Sequence, residues 1–232
     1  IYNAPIIFEQ VAEKLPIRYL NDFWIIFNTF SGIAENIYNK RIKRLFDISM
    51  SFVGLIVTFP LMLATAFIIK VTSKGPLFYK QTRVGYDEHL FTIIKFRSMR
   101  HDAEKQTGAV WSEENDPRIT KFGKLIRKLR IDELPQLWNI LKGEMAFVGP
   151  RPERPEFVKD LKKEIPYYSL RHTVKPGVTG WAQVNYPYGA SIEDAIEKLQ
   201  YDLYYIRHLS LRIDLRVFLR TFRVVLFGIG AR

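Results

Sequence analysis

The sequence predicts an α+β fold associated with a membrane: a re-entrant membrane helix hairpin, interfacial amphipathic helices and a small β-hairpin. Three observations carry this. Ile48 to Ile69 is an uncharged run of 22 residues, two later stretches repeat apolar residues at helical spacing among arginines and lysines, and two β-prone stretches flank a turn that begins at Gly85. With 232 residues, 47% of them hydrophobic, the chain is long enough to bury a core and too apolar to be disordered. Its 35 Lys and Arg against 24 Asp and Glu leave a net charge of +11, which points to nucleic acid, acidic lipid or a phosphorylated substrate. The absence of cysteine excludes disulfides, thiolate metal sites and a cysteine nucleophile. His89, His101, His172 and His208 are too far apart in sequence to suggest a metal-ligand pair.

The chain begins at Ile1 rather than Met, so a fragment or processed product is expected, and no signal peptide is visible. The apolar run, as a straight helix rising 1.5 Å per residue, would measure about 33 Å, enough to cross a bilayer core. Two features argue for a return instead. Pro60 interrupts the run and favours a kink. Lys40, Arg41, Lys43 and Arg44 precede it and Lys70, Lys74, Lys80 and Arg83 follow it, so the basic asymmetry that orients a spanning helix is missing. A break at Pro60 leaves arms of about 12 and 9 residues, each too short to span.

After the run, PLFYKQTRV and HLFTIIKFRSM read as a hairpin around Gly85–Glu88, with Phe91, Ile93, Lys95 and Arg97 on one face. Residues 99–117 are polar and lack periodicity, as expected of a loop or short solvated helix. In RITKFGKLIRKLRI, Ile119, Phe122, Leu125, Ile126 and Leu129 recur at helical spacing among Lys121, Lys124, Arg127 and Lys128. A second basic helix follows Ser210, with Arg212, Arg216, Arg220 and Arg223 in one narrow stripe that suits a headgroup interface.

Between these helices lies RIDELPQLWNILKGEMAFVGPRPE. Here Asp132 reads as an N-cap, Pro135 sits in a first turn, Leu134, Leu137, Trp138 and Leu141 form an apolar face and Gly143 is the stop. A helix start favours anions, so Asp132 is expected to stay ionised with a phosphate held nearby. Taken alone, the Asp132–Glu133 pair reads first as plain capping. Arg151 stands between two prolines, which stiffen the loop that carries it and suit it to bidentate phosphate contact. Lys175 to Val184, KPGVTGWAQV, reads as a tight loop beside a site or a packed turn.

From about Lys40 onward, KRLFDISMSFVGLIVTFPLM, KFRSM, RIDELPQLWNILKGEMAFVGPRPE and RHTVKPGVTGWAQVN resemble, in order, the bacterial sugar transferases, monotopic phosphoglycosyl transferases that act on polyprenyl phosphate. The resemblance implies a tail of an upstream region or linker at 1–39, the re-entrant hairpin at 40–74 and a catalytic domain at 75–232, on the cytoplasmic face of the bacterial inner membrane. It also implies transfer of a sugar 1-phosphate from a UDP-sugar to undecaprenyl phosphate with release of UMP. Asp132 would be the nucleophile and form an aspartyl phosphosugar. Glu133 would assist by positioning, metal contact or proton handling. Lys95, Arg97, Arg127 and Arg151 would bind substrate phosphates, and Mg2+ would be held by Asp132. Membrane lipid is an implied partner and a homo-oligomer is compatible with the sequence. Two departures from the family pattern stand out: Phe59-Pro60 replaces a common Ser-Pro at the membrane break, and Tyr186 replaces a Gly found in some members, with a bearing on sugar choice.

Two other classes account for less. A nucleic-acid-binding protein fits the charge but leaves the apolar run unexplained and shows no base-reading motif, so no nucleic acid partner is expected. A noncatalytic membrane scaffold explains the run and the amphipathic helices, yet gives the Asp-Glu pair and the proline-flanked arginine no purpose.

Overall fold

The structure is a computed structural model that describes residues 4–27, 30, 37–100, 116–187, 189 and 191–227. It is α+β. Helices α1 (Ala4–Ala12) and α2 (Asp22–Phe27) precede the long α3 (Lys43–Thr72); β1 (Phe78–Val84) and β2 (Leu90–Phe96) follow. Then come α4 (Lys121–Lys128), α5 (Gln136–Lys142), β3 (Ala146–Val148), α6 (Pro155–Glu164), β4 (Gly177–Thr179), α7 (Trp181–Asn185), α8 (Ile192–Arg207) and α9 (Leu211–Phe227).

The hairpin forms where the alternation places it: β1 and β2 pair antiparallel, with Thr82 opposite Thr92 and Tyr79 opposite Lys95. Its Phe91 and Ile93 face packs with Leu137, Ile140 and Met145, which lays α5 across the strand that carries Lys95. The stretch read as a tight loop contains a strand instead: β4 runs parallel to β3, Ala146 opposite Gly177 and Val148 opposite Thr179. Glycines make this approach feasible. A Cβ on Gly149 would sit 2.3 Å from the Lys175 carbonyl, and one on Gly180 would sit 2.2 Å from the Gly149 carbonyl.

The main core gathers Val148, Val158, Leu161, Trp181, Leu199, Leu203, Tyr205, Ile206 and Val217 from β3, α6, α7, α8 and α9. The described part of residues 1–39 joins it through Leu15, Ile17, Leu20 and Trp24, and Glu13 accepts at its carbonyl from the Trp181 indole at 2.9 Å.

Helix α3 is long and apolar enough to cross a membrane by length and composition. It is one assigned helix with Pro60 inside it, where two arms were expected. Both of its ends touch the same body. Near its start, Arg44 donates to the Ile140 and Leu141 carbonyls at 2.6 and 2.7 Å, and Asp47 accepts from the Phe147 amide at 3.0 Å. Near its end, Ile69 is buried with Phe96 and Ile126, and Arg97 donates to the Ser73 carbonyl at 2.8 Å. Between them the side chains of Ile56, Val57 and Phe59 are exposed.

The basic helices divide their faces differently from the expectation. In α4, Thr120 caps by accepting from the Gly123 amide, Phe122 and Ile126 face the core, and Leu125 and Leu129 face outward. In α9, Ile213, Asp214 and Val217 are buried while Leu211, Leu215, Leu219 and Phe222 form the outer surface. The arginine stripe is split: Arg216 pairs with Glu13, and Arg220 stacks 4.7 Å from the Trp181 ring centre. Partners outside α9, a carboxylate and an indole face absent from any helical wheel, engage these two arginines.

Candidate active site

Asp132 and Glu133 do not open α5. Arg130, in the left-handed region at φ 57°, ends the turn after α4, and Ile131–Glu133 form a separate 3-10 turn. Pro135 then precedes α5, and Gly143 closes it at φ 87°. The buried side of α5 is also turned from the one expected: Gln136, Leu137, Asn139 and Ile140 are buried and Trp138 is half exposed. Asn139 explains the rotation. Its amide nitrogen donates to the Thr92 carbonyl and to Glu144, both at 2.7 Å, and its oxygen accepts from the Ile94 amide at 3.2 Å. A polar side chain therefore stitches α5 to β2 one residue from Lys95.

That stitching brings Lys95 onto Glu133. The Lys95 ammonium donates to Glu133 Oε1 at 2.7 Å, Arg151 Nη2 donates to the same oxygen at 3.3 Å, and Arg130 Nη1 lies 3.9 Å from Oε2. Three cations from three separate segments meet on one buried carboxylate. Burial alone would raise the Glu133 pKa, but Lys95, Arg151 and Arg130 overcome it and hold the group well below the usual carboxylate range. Asp132, equally buried, has a pKa raised to about 6, first by burial and then by the Glu133 charge, against the pull of Lys95, Arg127 and Arg130. Asp132 is thus ionised at neutral pH, as expected, but later than a helix start would have it, because it opens no helix and is buried. Among the described residues, Asp132 Oδ1 is buried without a hydrogen-bond partner. An unpaired carboxylate oxygen beside a carboxylate with three cations is suited to meet a phosphorus centre, because its own lone pairs are not committed.

A scan for family resemblance matches residues 38–228 to the bacterial sugar transferase model. This chain belongs to the bacterial sugar transferase family. Among curated relatives, a UDP-N-acetylgalactosamine-undecaprenyl-phosphate N-acetylgalactosaminephosphotransferase of Aeromonas hydrophila is 42% identical over 232 residues, all of this chain and 53% of that one. An undecaprenyl-phosphate glucose phosphotransferase of Komagataeibacter xylinus is 39% identical over 236 residues, all of this chain and 44% of that one. The chain thus spans about half the length of these two. A sugar transferase of Bacillus subtilis whose activity is uncharacterised is 38% identical over 193 residues, 82% of this chain and 89% of that one.

In this sugar transferase, Asp132, Glu133, Lys95 and Arg151 come together, and the Arg127 charge acts on Asp132. Arg97 lies elsewhere. Buried at the end of α3, its guanidinium bonds the Ser73 carbonyl, whereas Lys95, Arg151 and Arg130 are the cations on Glu133. Arg130 and Asn139 escaped the sequence reading. A left-handed arginine has no local signature, and an asparagine in a helix reads as a solvated position. For a metal, the described residues hold no group of three or more His, Asp or Glu side chains. A carboxylate of which one oxygen is free for phosphorus would offer its other oxygen to Mg2+, an ion usually bound by one or two carboxylates together with substrate phosphates.

Proposed function

We propose that this domain transfers a sugar 1-phosphate from a UDP-sugar to polyprenyl phosphate, releasing UMP. The observation that carries the reading is Asp132, buried with one carboxylate oxygen uncommitted beside the Glu133–Lys95–Arg151–Arg130 cluster. An Asp132 oxygen attacks the β-phosphorus and the bond from that phosphorus to the bridging oxygen breaks. UMP departs with the bond's electron pair, leaving an aspartyl phosphosugar. A phosphate oxygen of the polyprenyl acceptor then attacks the same phosphorus and frees the carboxylate. Lys95, Arg127 and Arg151 hold the diphosphate, and Glu133 keeps Lys95 and Arg151 in place by accepting from both. Mg2+, when held by Asp132, supplies neutralisation of charge developing on the leaving phosphate. The two relatives at similar identity carry names with different sugars, so overall identity does not select one. The test is UMP release from a panel of UDP-sugars by the purified chain in detergent with polyprenyl phosphate. Acceptor-dependent UMP release with at least one sugar is expected; its absence across the panel would favour the scaffold reading.

The reading extends to the membrane. Helix α3 enters from and returns to the cytoplasmic face, with Pro60 near its deepest point. Supporting this, Arg44 and Asp47 at one end and Ile69 and Ser73 at the other contact one catalytic body, whereas a spanning helix would put those ends on opposite sides of roughly 30 Å of hydrocarbon. The chain has no cysteine, so single cysteines at the exposed Ile37 and Lys74 report cleanly. Both should resist an impermeant thiol reagent in intact cells and react after lysis. Labelling of only one in intact cells would establish a spanning helix.

A further inference from the structure

The loop that carries Arg151 is held carbonyl by carbonyl. Pro150 O accepts from the Gly177 amide at 2.9 Å, Arg151 O from Arg171 Nη2 at 2.9 Å, Pro152 O from Arg83 Nη1 at 3.0 Å and Glu153 O from the Val84 amide at 3.0 Å. The donors come from β4, from the turn before it and from β1. With φ set at Pro150 and Pro152 by their rings and these four carbonyls pinned, the backbone at Arg151 keeps little torsional freedom. The Arg151 side chain therefore leaves the loop in one direction, toward Glu133.

Arg171 acts at Arg151 itself. Its buried guanidinium also donates from Nη1 to the Tyr168 hydroxyl at 2.6 Å and pairs with Asp202 of α8 at 2.9 Å. Such a buried pair is weak support for stability, because desolvating both charges offsets most of their attraction. Its planar fork does something a packed hydrophobe cannot: one rigid group reaches a carboxylate, a hydroxyl and a backbone carbonyl together.

We infer that Arg171, anchored by Asp202, is a positioning residue that aims Arg151 at the donor diphosphate by fixing the Arg151 carbonyl. This rests on the proposed role of Arg151 as a diphosphate ligand, and the test separates the two. Arg171→Lys, Arg151→Ala and the double variant are compared for kcat and for KM of the UDP-sugar at saturating polyprenyl phosphate, alongside Tm.

Arg171→Lys alone should raise KM about tenfold, the scale of one lost hydrogen bond from a charged donor, with kcat retained. In the Arg151→Ala background the same change should leave kcat/KM unaltered, although it lowers Tm equally in both backgrounds. A purely structural role would show instead as the same fractional loss of kcat/KM in both backgrounds, which overturns the inference while the loss in Arg151→Ala still upholds the ligand role. Unchanged kinetics in Arg151→Ala would overturn the ligand role and, with it, the purpose of the clamp. If Arg171→Lys does not fold, Asp202→Asn enters the same cycle. It keeps the shape, weakens the anchor, and should raise KM only where Arg151 is present; an additive loss overturns the inference.

Discussion

Asp132→Asn will abolish turnover and leave the protein more stable than its parent at neutral pH. With Asp132 as the proposed nucleophile, removing its charge should lower kcat by about 10^3-fold or more, as losses of catalytic nucleophiles do. The gain in stability follows from the same burial. The carboxyl's pKa is about 6 in the folded chain against an ordinary 3.8, so the fold disfavours the ionised form. Below pH 3.8 the group is protonated in both states and contributes nothing. As pH rises toward and past 6 it ionises against burial and the Glu133 charge, a cost on the order of 3 kcal/mol that the amide removes. Melting curves should therefore show Asp132→Asn raising Tm at pH 7.5 and changing it little at pH 4. The parent's kcat/KM should climb with pH through about 6 and then level off, since the proposed attack requires the ionised carboxylate. UMP release at the parent rate would remove Asp132 as nucleophile. A Tm lowered at pH 7.5 would contradict the electrostatic account.

Glu133→Gln, the same chemical change one residue along, will move Tm the other way. Glu133 is the shared anion for Lys95, Arg151 and Arg130, at 2.7, 3.3 and 3.9 Å. Removing one partner of a buried ionic cluster leaves the others uncompensated, which typically costs about 3–5 kcal/mol. Because the folded pKa of Glu133 lies below its ordinary value, its contribution is fully present above pH 4.5 and is lost as pH falls through the folded value. The destabilisation should thus be large at pH 7.5 and smaller under acid. Activity should fall about 100-fold or more as Lys95 and Arg151 lose their common anchor. Melting and UMP-release measurements on both variants decide the matter. Equal Tm shifts of one sign in Asp132→Asn and Glu133→Gln would show that the two carboxylates share one environment, contrary to the geometry.

Residues within a segment were readable because their signal is local. The apolar run, the alternation of β2 and the spacing of α4 each lie within a few turns or one strand, and each element forms where its pattern stands. Neighbouring motifs mark Asp132, Glu133, Lys95 and Arg151, and Lys95 and Arg151 fold onto the Glu133 carboxylate. What failed were inferences about orientation. Asp132 reads as the cap of α5 because Asp before Pro and an apolar run is a common helix start, yet the left-handed Arg130 and the 3-10 turn separate it from that helix. Trp138 was placed on the buried face because it is apolar, but Asn139 has three polar partners on β2 and at Glu144 to satisfy once it is buried, and α5 rotates to supply them. Arg97 shares a face with Lys95 by alternation, and the carbonyl at the end of α3 claims it.

By itself, then, the amino-acid order determines the membrane-length helix, the hairpin, the basic helices and the family of motifs, because hydrophobic periodicity and turn chemistry act over short stretches of chain. The tertiary structure alone decides that both ends of α3 rest on one body and that Arg130 joins Lys95 and Arg151 on Glu133. It alone leaves one Asp132 oxygen unpaired and pins the Arg151 loop with Arg83 and Arg171. Most of these depend on which polar groups meet across long stretches of sequence, as Arg151 meets Glu133 across 18 positions and Arg44 meets Leu141 across 97. A buried charge or carbonyl must find a partner wherever the packed core offers one, and no local pattern records where that will be.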